Sequence, residues 1–70
     1  MDPKNWARIY FTNQPYKAEI VKSVLEDDGI RAILIDKIDH AHGGAFGEVE
    51  VYVQRDNVIP AKHIIDKKEL

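Results

Sequence analysis

The sequence predicts an α+β fold, a ferredoxin-like two-layer sandwich whose elements run β-α-β-β-α, with the last strand missing or replaced. Three observations predict it. Residues 6–12 and 48–53 alternate with the period of a half-buried strand. Residues 15–28 between them carry an apolar stripe at helical spacing, and Gly29 stands where such a helix has to stop.

In the first strand, Trp6 to Thr12, simple alternation places Ala7, Ile9 and Phe11 on one face and Trp6, Arg8, Tyr10 and Thr12 on the other. Asn13-Gln14-Pro15 then changes the period. Asn13 or Gln14 can cap a helix, and Pro15 fits its first turn, where a missing N–H costs nothing. Ala18, Ile20, Val21, Val24 and Leu25 form the inward stripe of this first helix, with Lys17, Glu19, Lys22, Ser23, Glu26 and Asp27 on the solvated side. Asp27 and Asp28 lie at the negative end of the helix dipole, so the stop depends on Gly29 taking up the left-handed conformation.

The second strand, Ile30 to Ile38, is apolar on both faces over its middle, with Ala32 and Leu34 set against Ile33 and Ile35. His40 to Gly47 is too rich in glycine for regular structure, and Glu48-Val49-Glu50-Val51-Tyr52-Val53 returns as a third strand. Asp56 or Asn57 opens a second helix with Val58, Ala61, Ile64 and Ile65 inward. Pro60 keeps the helix start close by. A complete βαββαβ sheet would flank the first strand with the third and a fourth, but here the first strand becomes an edge. Its free N–H and C=O groups are met by pairing with a second copy, which this reading favours, or by blunting of the edge.

Thr12-Asn13, Ala18-Glu19, Val21-Lys22, Leu25-Glu26 and Gly29-Ile30 with Ala32 resemble the signature of a family of small bacterial domains catalogued as prokaryotic signal-transducing proteins. The fold of that family is similar to that of the nitrogen-regulatory P-II proteins. The resemblance covers most of the chain through caps, core positions and a helix stop, so it speaks to fold more than to activity. It implies that the connection between the second and third strands, about Asp39 to Gly47, corresponds to the P-II effector loop. No residues match a motif for ATP or 2-oxoglutarate, and no cofactor is expected.

Charge and composition narrow the function classes. The 70 residues make a single domain, 1–70, with a net charge of −2 from ten basic and twelve acidic residues. Such a balance creates no global field for nucleic acid or anionic lipid. There is no cysteine, and no apolar run approaches the length of about 18 residues that a membrane span needs. With no signal-peptide pattern at Met1-Asp2-Pro3-Lys4-Asn5, the chain reads as cytoplasmic.

Two segments are candidates for contact with partners. In Asp39–Gly47, His40 and His42 are two apart and would point the same way from extended backbone, with Asp36 or Asp39 able to add an oxygen. Without a third fixed ligand the pair reads as a solvated loop, and no metal is expected. Phe46, an apolar residue at a glycine-flanked loop tip, is either folded onto the core or a partner anchor. The other candidate is the sheet face away from the helices, where alternation places Tyr10, Ile33, Ile35 and Tyr52, with Trp6 at the margin. Aromatics on the first and third strands would suit stacked bases, but Glu48 and Glu50 share that face and oppose phosphate. A protein partner is therefore favoured over a nucleic acid.

Catalysis finds little to work with. The only serine, Ser23, lies on a solvated helix face, and a nucleophile needs an adjacent base or a lowered pKa. The reading is of a regulatory or protein-interaction module, not an enzyme. Its partner-binding candidates are Tyr10, Ile33, Ile35, Tyr52, His40, His42 and Phe46.

Overall fold

The computed structural model describes residues 5–38 and 47–70. Its elements are β1 (Trp6–Thr12), α1 (Pro15–Asp27), β2 (Ala32–Ile38), β3 (Gly47–Gln54), a single 3-10 turn (Arg55–Asn57) and α2 (Val58–Lys67). The fold is α+β, with an open antiparallel sheet of order β1-β3-β2 and two helices. The third strand is central, and β1 is an edge among the described residues, as the β-α-β-β-α order predicts.

The alternation of β3 builds the core. Val49, Val51 and Val53 are buried on the helix side against Ala18, Val21 and Leu25 of α1 and Ala61 and Ile64 of α2, with Ile30 and Ala32 completing the cluster. The β2–β3 register runs without interruption from Ala32 opposite Val53 to Ile38 opposite Gly47. Ile33, Ile35 and Lys37 therefore share the helix-free face with Glu48, Glu50 and Tyr52.

The first strand departs from simple alternation. Arg8 pairs with Tyr52, but Tyr10 pairs with Val51, leaving Ile9 as the extra residue of a β-bulge. An inserted residue shifts the parity of everything after it. Tyr10 accordingly sits on the helix side, packed against the core, with its hydroxyl donating a long 3.4 Å hydrogen bond to the Leu70 carbonyl. Phe11, expected inward, is 56% exposed on the other face. Ile9 still packs against the core, because the two residues of a bulge lean to the same side.

Both helices end in the same way. In α1, the Gly29 N–H donates to the Glu26 carbonyl at 3.0 Å and the Ile30 N–H to the Leu25 carbonyl at 2.9 Å, a complete Schellman motif with Gly29 at φ +82°. That motif also draws Ile30 out of the second strand, which starts at Ala32 instead. In α2 the Glu69 N–H donates to the Asp66 carbonyl at 3.2 Å and the Leu70 N–H to the Ile65 carbonyl at 3.0 Å, with Glu69 itself at φ 55°.

At the start of α1, Gln14 holds the cap position but caps with no side-chain bond. Its own N–H is bound by the Thr12 hydroxyl at 3.1 Å, which secures the turn out of β1. Pro60 occupies the third position of α2, within the first turn, where N–H groups have no partner in the helix to lose. Ile20 differs from expectation. It is 46% exposed, on the flank of α1 beside Tyr16, because the sheet needs only the stripe of Ala18, Val21 and Leu25 to cover it.

Candidate functional site

The distinctive site lies on the sheet face that no helix covers. Glu50, at the centre of β3, is flanked by Phe11 on β1 and Ile35 on β2. A carboxylate in a central strand has low β-propensity and, if covered, needs partners for both oxygens. Its side chain is only 2% exposed, and the neighbouring strands supply those partners.

Arg8, opposite Tyr52, reaches diagonally and donates from Nη1 to Glu50 Oε2 at 2.7 Å. Lys37, opposite Glu48, reaches diagonally from the other side and places Nζ 3.3 Å from Oε1. The Tyr52 hydroxyl, two residues along the same strand, donates to Oε1 at 2.9 Å. The Arg8 guanidinium also lies 5.1 Å from the centroid of the Phe11 ring, a cation–π arrangement. Phe11 is available for this only because of the bulge.

The electrostatics follow from these contacts. The Arg8 hydrogen bond holds Glu50 below its ordinary value of 4.5, against a desolvation that raises it, with Tyr52 and Lys37 adding to the lowering. Pairing therefore outweighs desolvation at this carboxylate. Donating to that carboxylate raises Tyr52 above its ordinary 10.0, and the same carboxylate raises Arg8. All three values thus move further from neutral pH, which keeps Arg8 as guanidinium, Glu50 as carboxylate and Tyr52 as phenol.

Of the residues singled out from sequence, Ile33, Ile35 and Tyr52 lie on this face, half-buried around Glu50. Tyr10 does not; the bulge carries it to the helix side. His40, His42, Phe46 and Asp39 lie outside the described residues. Among the described residues there is no group of three or more His, Cys, Asp or Glu side chains placed to hold a metal, and no helix is long and apolar enough to cross a membrane. Sequence parity puts Arg8 and Glu50 on one face, and the observed β2–β3 register adds Lys37. Their convergence on a single carboxylate depends on the diagonal reach between strands, which parity does not convey.

The comparisons bear on the same stretch of chain. The model of a family described as "Putative prokaryotic signal transducing protein" matches residues 6–69, from the first residue of β1 to the Schellman position of α2. The chain belongs to this family. No curated protein and no solved structure matches it. Within the matched stretch, the Thr12 hydroxyl holds the Gln14 N–H and Gly29 closes α1.

Proposed function

We propose that this chain is a cytoplasmic protein-interaction module of a signalling system, with no chemistry of its own, and that it self-associates through the helix-free sheet face. One observation carries the reading. Glu50 is covered and ion-paired on a face where, among the described residues, no helix packs, within a frame of Trp6, Phe11, Ile33, Ile35 and Tyr52. Aromatic residues and arginine around a desolvated centre are the composition of interface hot spots. The face carries two cations, Arg8 and Lys37, and two anions, Glu48 and Glu50, so two copies can meet without net repulsion.

The absence of chemistry is supported by the direction of the shifts. A general acid or base works best with a pKa near the operating pH, whereas Glu50 is lowered and Tyr52 and Arg8 are raised. The two carboxylates in the middle of the face favour a protein surface over a phosphodiester backbone. The Asp39–Gly47 connection, which the resemblance to P-II proteins marks as an effector loop, leaves the sheet at the Ile38–Gly47 pair and is proposed to serve the outside partner.

Solution mass across a concentration series, by light scattering, tests the proposal. The expected result is a dimer that Ile33→Glu converts to monomer while the far-ultraviolet circular dichroism is unchanged. A wild-type chain that stays monomeric up to millimolar concentration removes the self-association.

A further inference from the structure

We infer that the free edge of β1, together with the overhanging flank of α2, is a docking groove for a short acidic segment of a partner protein, which adds in extended conformation as the fourth strand. This edge adjoins the helix-free face, with which it shares Arg8 and Phe11, and the inference goes beyond the self-association proposed for that face. Among the described residues no element lies beyond β1, so one side of its backbone is unpaired. Along that edge runs a groove of about 330 Å³ lined by four consecutive residues of β1, Arg8, Ile9, Tyr10 and Phe11, and by Lys62 of α2. One turn before Lys62, on the same flank of the helix, Ile59 is 82% exposed. A sheet edge beside an apolar ledge is the arrangement used in β-strand addition, where main-chain hydrogen bonds bind and alternate side chains select.

Charge decides the occupant. The five residues lining the groove include two cations and no anion. The side chains of an added strand point alternately to the two faces, and each face offers a cation: Arg8 on the helix-free side, Lys62 on the helix side. Arg8 is 49% exposed and gives one of its five N–H groups to Glu50, which leaves donors for an incoming carboxylate. A second copy pairing edge to edge would bring two more cations into the groove, so like charge disfavours it. The bulge at Ile9 breaks the edge into two short paired stretches, Trp6–Arg8 and Tyr10–Thr12, which suits a short segment better than a long flat strand. The other edge strand, β2, presents Asp36 and Lys37 as adjacent exposed charges of opposite sign, and so lacks this single-sign character.

The test uses three end-capped octapeptides added to the isotope-labelled full chain: one alternating Glu with Val and Thr, its counterpart with Lys in place of Glu, and the acidic peptide with two central prolines. Amide shifts and hydrogen exchange of β1 are followed by NMR. The acidic peptide is expected to shift and protect the edge amides of Ile9–Phe11. The lysine peptide should bind at least about tenfold more weakly, and the proline peptide should give no protection. Lys62→Glu, an exposed substitution that leaves the core untouched, should narrow or reverse the preference between acidic and basic peptides. Four results would overturn the inference: no shift at millimolar peptide, equal binding of acidic and basic peptides, shifts confined to Ile33 and Tyr52, or β1 protection by protein concentration alone.

Discussion

Gly29 and Glu69 hold the same place in two Schellman motifs, and exchanging their chemistry tests whether those motifs set the helix ends. At Gly29 a Cβ would meet nothing within 4 Å, so Gly29→Ala carries no clash and its whole effect comes from the backbone at φ +82°. Holding an L-residue in the left-handed region costs about 1–2 kcal/mol. Alanine offsets about 0.4–1 kcal/mol of this by restricting the unfolded chain. The net expectation is a destabilisation of about 0.5–1 kcal/mol. Glu69 already bears that strain at φ 55°. Glu69→Gly should therefore stabilise by about 0.5–1 kcal/mol, helped by removing a carboxylate from the negative end of α2.

Against a total stability of about 4–10 kcal/mol for a chain of this size, both changes are measurable. Urea unfolding followed by circular dichroism would show opposite shifts of the midpoint at unchanged slope. In thermal unfolding each kcal/mol corresponds to about 4–8 °C in a domain of this length. A neutral Gly29→Ala, or a Glu69→Gly that loses stability, would refute the argument, because it would mean that packing of Ile30 and Leu70, not backbone conformation, fixes the helix ends.

Two further predictions concern the sheet. Glu50 has a lower pKa folded than unfolded, so its contribution is complete above its ordinary value of 4.5 and is lost as the pH falls through the folded value. Glu50→Gln should therefore flatten the fall in urea midpoint between about pH 5 and pH 3, and an unchanged acid limb would contradict the pairing. The bulge predicts an order of costs opposite to simple alternation. Tyr10→Ala should lose about 2 kcal/mol or more from a packed ring, and Phe11→Ala under about 1 kcal/mol from an exposed one; equal losses in thermal unfolding would contradict the observed register.

Much of the architecture was legible in the residues. The β1 boundaries, the place of Pro15 in α1, the stop at Gly29 and the inward set of α2 each follow from a local rule: period two, a proline that needs no N–H, a left-handed glycine, period 3.6. The register of β1 was not legible. Bulges of this type need no glycine, and nothing in Arg8-Ile9-Tyr10 marks the extra residue, so simple alternation gives Tyr10 and Phe11 each other's faces. Ile20 was misplaced for a different reason: periodicity gives the direction of a side chain but not how far the sheet extends beneath it.

By itself the sequence determined which segments become strands and helices and their order, because these depend on interactions within a few residues, and from that order it follows that β1, among the described residues, has a strand on one side only. Only the tertiary structure decided which aromatic ring faces which side and that Arg8, Lys37 and Tyr52 meet on one carboxylate. It alone also set the α2 flank beside the open edge of β1. Those outcomes depend on register between strands far apart in the chain, where one inserted residue reverses a face and a reach of two positions makes or breaks an ion pair.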